Sequence, residues 1–313
     1  MTTSVRGMLR SVIRLCSQEM EGTETTAMET LAFENGRALL DLSDHLVSAV
    51  LGNDAAKWLN DLVTAKVDRM TPGRACGSFL LDPTGHIRAH FVVVRTWQSF
   101  LLIQDPAQPD PVDDLLSKYV LSSDVTITRE RACIFAVPGS VAGPPVSWSA
   151  APAAPEHGGG TYLGAPAERH DETLDSLSEG LVLVSKAAQE TVRIGAGIPR
   201  YPVDLAPRSI PAEAPALAQE IVDTEKGCFL GQESVARVRN LGHPPNLIVA
   251  LRTDATVSVG EPVTEGGKKV GQITSAAVDP AGTTAIARVR WFAHPSPRFQ
   301  TAHGHPFTMV RGG

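Results

Sequence analysis

The stretch Lys226-Gly-Cys-Phe-Leu-Gly-Gln-Glu-Ser-Val-Ala-Arg237 decides how this chain is read. Two glycines, Gly227 and Gly231, bracket a lone cysteine and permit tight turns or close approach of a ligand. Val235, Val238 and Arg239 then mark a helical stretch after Gly231. Cys228 is thereby expected just ahead of a helix N-terminus, where unpaired N–H groups carry partial positive charge. Lys226 lies two residues before it, with Arg237 and Arg239 close behind. All of these favour thiolate, the nucleophilic and metal-binding form of cysteine. Cys228 and Lys226 are the candidate catalytic residues. A buried structural cysteine in a glycine-flanked turn is the other reading.

Upstream of this motif, strand and helix periods alternate. Ala55, Trp58, Leu59, Leu62 and Val63 mark an amphipathic helix that Asn53 can cap. Ser78–Leu81 and Ile87–Val94 read as strands, joined by the hairpin chemistry of Asp82-Pro-Thr-Gly85. Phe100–Gln104, a helix over Val112–Val120, Val125–Arg129 and Ile134–Val137 follow. The order implies a sheet carrying helices, an α+β arrangement. Residues 138–168 hold six Pro and six Gly and read as a long loop. A short helix is expected near 172–179, then a strand at Leu181–Ser185, with Ser185 capping a helix that runs toward Arg193. Five prolines make 199–215 irregular. Downstream of Asn246 short strands and Gly turns predict a small β-barrel. The expected organisation is a leader over 1–28, an α+β region over 29–242 and a C-terminal barrel over 243–313.

Composition bounds the function. The 313 residues are 42% hydrophobic and 20% charged, which excludes a mostly disordered chain. Lys plus Arg number 28 against 34 Asp plus Glu, a net charge of −6 that suits no direct grip on nucleic acid. Four scattered cysteines without C-x-x-C fit a reducing compartment, so a cytoplasmic location is expected. Residues 1–18 carry Arg6, Arg10 and Arg14 without an acid; if they form a transit peptide, the location is the mitochondrial matrix. No apolar run is long enough to span a membrane. His86 and His90, four apart on a strand, stand about 13 Å from each other, too far to share one ion. No dedicated metal site is expected.

The motif K-G-C-F-L-G-Q-E-S-V-A-R resembles the signature of the YgfZ-type folate-binding proteins, paralogues of the glycine-cleavage T-protein aminomethyltransferase. Leu59-Asn-Asp-Leu-Val-Thr64, Leu80-Leu-Asp-Pro-Thr-Gly85 and Arg193-Ile-Gly-Ala-Gly-Ile-Pro199 are similar to further family patterns, in order. The extension Ala236-Arg-Val-Arg-Asn-Leu-Gly-His-Pro-Pro245 is similar to the actinobacterial branch. The resemblance implies a three-lobed aminomethyltransferase-like ring around a channel that holds tetrahydrofolate. It also implies a role in making or maintaining iron–sulfur proteins, with client or assembly proteins as partners and the motif cysteine required. Effects on tRNA thiolation would be indirect. A monomer is expected. Arg193, Gly197, Gly227, Gly231, Gln232, Glu233 and Arg237 become candidate cofactor-binding residues, with Arg193 and Arg237 suited to the folate glutamate tail.

Two departures from the T-protein pattern stand out. Gly85-His-Ile-Arg-Ala-His-Phe91 lacks the carboxylate that positions the reacting folate nitrogen. Gly195 replaces the glutamate that contacts the pterin. The alternatives are therefore a folate-dependent aminomethyltransferase or one-carbon enzyme, and a scaffold that has lost folate.

Overall fold

The computed structural model describes residues 28–139, 146–154, 157–279, 281–293 and 298–311. The leader expected over 1–28 lies outside them, apart from Met28. Residues 28–34 are helical (α1) and lead into β1, Ala38–Asp41. The hydrophobic runs that follow alternate between two destinations. β2 is Leu46–Leu51, α2 Ala55–Leu62, β3 Arg74–Leu81, β4 Ile87–Arg95 and β5 Phe100–Gln104. α3, Val112–Ser117, precedes β6, Thr126–Glu130, and β7, Ala132–Val137. β8 is Trp148–Ala150, β9 Thr161–Pro166, α4 His170–Ser178, β10 Val182–Leu183 and α5 Lys186–Gly195. A 3-10 turn over Pro211–Glu213, α6 at Pro215–Ile221 and α7 at Gln232–Leu241 complete the helices. β11 Asn246–Thr253, β12 Pro262–Glu265, β13 Lys268–Asp279, β14 Gly282–Arg290 and β15 Thr308–Arg311 end the chain.

Three five-stranded sheets result, with orders β10-β1-β7-β9-β8, β3-β4-β5-β2-β6 and β12-β13-β14-β11-β15. All pairings are antiparallel except β1 with β10. The run of strands expected to form one sheet is divided between two. Only Arg131 separates β6 in the second sheet from β7 in the first. The chain makes the same crossing between β1 and β2, so two short crossings join the lobes.

Strand alternation fixes which faces meet. Val92 and Val94 of β4, with Leu101 and Ile103 of β5, face the first sheet's Leu40, Ile134, Ala136 and Tyr162. The opposite face of β4, Ala89, Phe91 and Val93, packs under Trp58 and Leu59 of α2 and Leu116 of α3. The third sheet curls around Leu247, Leu251, Ile273, Phe299 and Phe307. Thr264 of β12 bridges Gln300, which bridges Pro306 just before β15, so the sheet nearly closes on itself. This is the barrel-like element expected from the strand pattern. A further core joins Phe79, Ile87, Ile194, Tyr201, Phe229, Ile248 and Ile286, at the junction of the second and third sheets with α5 and the cysteine motif.

Two local expectations need correction. The stretch 138–168 is not simply a loop, since it supplies β8 and β9, and Phe135 pairs with Leu163 across β7 and β9. Asn53 does not cap α2; its amide donates to the Asp124 carboxylate at 2.6 Å, and Asp54 occupies the N-cap without a capping bond, its carboxylate accepting from the Asp124 N–H at 2.8 Å. Ser185 does cap α5, accepting from the Ala188 N–H.

Candidate functional site

The cysteine motif is assembled on two of the other quoted motifs. Gly231 is the N-cap of α7 at φ 80°, in the left-handed region. A Cβ there would stand 2.6 Å from the Asp82 carbonyl oxygen, so only glycine lets α7 begin against the β3–β4 hairpin. Asp82 in turn rigidifies that hairpin, its carboxylate accepting from the Thr84 and His86 N–H groups. Gly227 has φ 103° with open space beside it, and Cys228 is exposed.

Lys226 does not serve as expected. Its ammonium donates to the carbonyls of Asn60 and Val63 and, at 2.7 Å, of Ala65. These oxygens lie at and just beyond the C-terminal end of α2, which has no basic residue in its own last turn. Helix C-termini present unpaired carbonyls and partial negative charge, so a cation satisfies both. Phe229 covers the cage, its ring centroid 5.3 Å from Nζ. Burial pulls the Lys226 pKa down to about 8 from 10.5, which still leaves it a cation at neutral pH. All three ammonium hydrogens are thus engaged by backbone, leaving none to hold an anion. Cys76 is a second thiol within reach of this charge, yet burial pushes it up to about 11 and makes it a poor nucleophile.

The cavity that could take a cofactor lies elsewhere, between the first two sheets, α5 and the segment Pro199–Tyr201. Its volume is about 470 Å³, within the ~300–1,000 Å³ range of small-molecule sites. Leu42, Phe91, Val92 and Ile103 supply apolar wall, while His45, His90, Asp105, Gln108, Lys186 and Arg200 supply polar groups. Asp44 is held well below the usual carboxylate range by its hydrogen bonds to His45 and then Lys186. Asp105 follows β5 directly after Gln104, which pairs with Phe91, while the His90 backbone is bonded by the Gln108 side chain. Arg200 donates from Nη1 to Glu190 at 2.9 Å, whereas its buried Nε has no hydrogen bond and only a long ion-pair contact, 3.9 Å, with the Asp105 carboxylate. A guanidinium N–H so loosely engaged at a cavity wall can take a closer anionic partner.

Of the residues expected to bind cofactor, Arg193 alone lines this cavity. It is not free to bind a folate tail. Nε and Nη2 grip Glu190, Nη1 donates to Ile198 O and Asp204, and Nη2 also donates to Ser275. All five N–H groups of the guanidinium are spent. Gly197, at φ 69°, is the stop of α5: its N–H bonds Ile194 O while the Ile198 N–H bonds Arg193 O, a Schellman turn. Gly227, Gly231, Gln232, Glu233 and Arg237 stand apart from the cavity, and the exposed Arg237 pairs with Glu233 one turn away. Trp58 and Phe79 are core, with the Trp58 indole N–H on Tyr119 O. Gly195 faces open space. Among the described residues, no three of His, Cys, Asp and Glu converge as metal ligands.

Sequence reasoning missed Arg200, Asp105, Lys186 and the paired His45 and Asp44. The one available signal was that Arg200 follows the Arg193–Pro199 motif directly.

Comparison with known proteins places this geometry. Residues 13–144 match the GCVT N-terminal domain. A chloroplastic protein of Arabidopsis thaliana designated a transferase is 25% identical, aligned over 78% of this chain and 62% of its own length; the chain spans less than two thirds of that relative. The tRNA-modifying protein YgfZ of Escherichia coli is 25% identical over 70% of this chain and 72% of that protein. The glycine cleavage system aminomethyltransferase T of Bartonella henselae has a similar structure, with a TM-score of 0.78 at 18% identity over 92% of this chain and 88% of that one. The mixed α+β architecture of three sheets is thus the aminomethyltransferase fold, and the chain is similar to the YgfZ-type paralogues of the glycine-cleavage T-protein.

Proposed function

We propose that the chain binds a tetrahydrofolate-type cofactor in the central cavity and acts as an accessory factor for iron–sulfur proteins through Cys228. The observation that carries this reading is the pairing of a cavity of cofactor size with Arg200 at its wall, whose Nε makes no hydrogen bond and only a 3.9 Å contact with Asp105. Arg200 would hold the glutamate carboxylate of the folate. The bound folate supplies one-carbon or electron-donor chemistry. Cys228 stands outside that cavity on an exposed, glycine-flanked loop. Such a thiol is accessible to a protein partner, and its thiolate suits a transient coordinate bond to a cluster iron.

Calorimetric titration with tetrahydrofolate tests the first half. The wild type should bind saturably, Arg200→Gln should bind roughly tenfold or more weakly for loss of a charge-assisted bond, and Cys228→Ala should bind like wild type. Complementation of a strain lacking its own family member tests the second half. Cys228→Ala should fail there while still binding folate; full complementation by that variant would remove Cys228 from the mechanism.

One observation favours the alternative of a one-carbon enzyme. The β4 strand carries no carboxylate toward the cavity, but Asp105, just past β5, supplies one at its wall, 3.9 Å from Arg200 Nε. If that group substitutes for the missing acid, tetrahydrofolate should take up the methylene carbon of an aminomethyl-lipoyl carrier protein with release of ammonia and the dihydrolipoyl carrier, and turnover should fall at least a hundredfold in Asp105→Asn. No turnover by the wild type above buffer leaves the accessory role standing alone.

A further inference from the structure

A second cavity of about 620 Å³ lies against α7 and shares no lining residue with the central cavity. Its walls are the hairpin tip Thr84–Gly85, the turn at Pro211, α6 and α7, with His243 and Trp291 also lining it. α7 is unusual among the longer helices of this chain. None of its described side chains is fully buried; Val235 packs at the edge of the core around Phe79 and Phe229 and, with Val238, lines this space. A helix normally gains its stability by burying such a face. Here the protein's own side chains leave the space beneath it unfilled.

The chemistry of the lining is one-sided. The ionisable groups are Arg239 and His243, and no carboxylate is present. Arg239 is exposed and makes one side-chain hydrogen bond, from Nη1 to Thr224 at 2.6 Å. His243 lies flat on Trp291, with the rings 2° from parallel and centroids 5.2 Å apart, and Nδ1 is engaged by Pro244 O. The lining thus combines a stacked aromatic pair with a cation, and the rest mixes Pro, Ala, Val and Ile with the neutral polar Thr84, Gln219, Thr224 and Ser234. The basic start of the chain, with Arg6, Arg10 and Arg14 in residues 1–18, is mismatched to Arg239 in charge.

We propose that this cleft is a second ligand site, distinct from the central cavity, for a molecule with an apolar aromatic body and one anionic group. The body stacks toward Trp291 and fills the space under Val235 and Val238, and the anion meets Arg239. Occupancy is linked mechanically to the cysteine loop. A Cβ at Gly85 would meet Ser234 of α7 at 2.7 Å, and Gly231, where α7 begins, is packed on the same hairpin. A ligand that settles the helix settles the turn that carries Cys228.

The probe is 8-anilinonaphthalene-1-sulfonate, an aromatic body with a single anion, read by its fluorescence on the folded full chain. Wild type should bind it saturably with unit stoichiometry. Arg239→Gln should weaken binding roughly tenfold or more. Val238→Trp, which fills the cleft, should abolish it, and Arg200→Gln in the central cavity should leave it unchanged. N-phenyl-1-naphthylamine, the neutral counterpart, should bind more weakly than the sulfonate. Labelling of Cys228 should change rate when the sulfonate saturates. Binding that survives both α7 variants, or that tetrahydrofolate displaces and Arg200→Gln weakens, overturns the proposal by placing the probe elsewhere. Equal binding of the neutral probe overturns the anionic part. Arg239 is exposed, so its replacement tests the site even if the tryptophan variant fails to fold.

Discussion

Replacing Arg193 by Met should lower the stability of the chain by about 3 to 5 kcal/mol, the cost of breaking a buried ion pair from one side. Asp204 is fully buried, and its carboxylate accepts from Arg193 Nη1 at 2.8 Å, the Arg200 N–H at 2.9 Å, the Ser275 hydroxyl at 2.8 Å and the Thr274 hydroxyl. Ser275 and Thr274 belong to β13, so this cluster ties α5 to the third sheet. Methionine retains much of the side-chain volume, so the loss is that of charge balance rather than of packing. The buried carboxylate would be left with neutral donors only. Urea unfolding should show a lower midpoint for the variant at unchanged slope. Adding Asp204→Leu should recover part of the loss, because a buried pair removed from both sides costs much less than one removed from one side. A loss below about 1 kcal/mol in the single variant would mean that Asp204 finds other compensation and that Arg193 is not the hub of the interlobe contact.

The same cluster shows how far sequence alone reaches. Arg193 was legible as a special arginine, because Arg193-Ile-Gly-Ala-Gly-Ile-Pro199 is a pattern, but its role was not. Whether an arginine faces a ligand or a buried aspartate depends on Asp204 and Ser275, residues that only the folded chain brings to it. Local chemistry was read well where it is decided locally. Asp82-Pro-Thr-Gly85 turns because Asp82 bonds N–H groups two and four residues on, and Ser185 caps α5 because its hydroxyl reaches Ala188. Strand membership was read poorly where pairing is distant. Thr161–Pro166 became a strand because β7 offers it a partner, and the surrounding Pro and Gly hide that. No period distinguishes β6 from β7 as members of different sheets, since a single residue separates them. The central cavity draws on six separate segments, each ordinary by itself, so Arg200 and Asp105 carried no signal comparable to that of Cys228.

Lys226→Met should cost about 3 kcal/mol at neutral pH and should do so without shifting the titration of Cys228. The ammonium makes three charge-assisted hydrogen bonds to Asn60, Val63 and Ala65, and each such bond contributes ~1.5–3 kcal/mol before the cost of burying the charge is subtracted. Methionine fills the stem but donates nothing, so carbonyls at the end of α2 lose their cap. Arginine should rescue poorly, because a planar fork cannot aim its donors at three oxygens converging on a point. The pH dependence follows from the lowered pKa. Below about 8 the lysine is charged in both the folded and the unfolded chain and contributes no slope. Between about 8 and 10.5 the unfolded chain holds a proton that the folded chain has released, so the stability of the wild type rises with pH across that window relative to Lys226→Met. The thiol provides the discriminating readout. Were Lys226 an activator of Cys228, its removal would move the pH midpoint of Cys228 labelling upward. A tether instead leaves the midpoint in place and raises the labelling rate and the protease sensitivity of the loop, since Gly227 and Cys228 lose their anchor to α2. A midpoint raised by a full pH unit would restore Lys226 to the role of thiol activator and refute the tether.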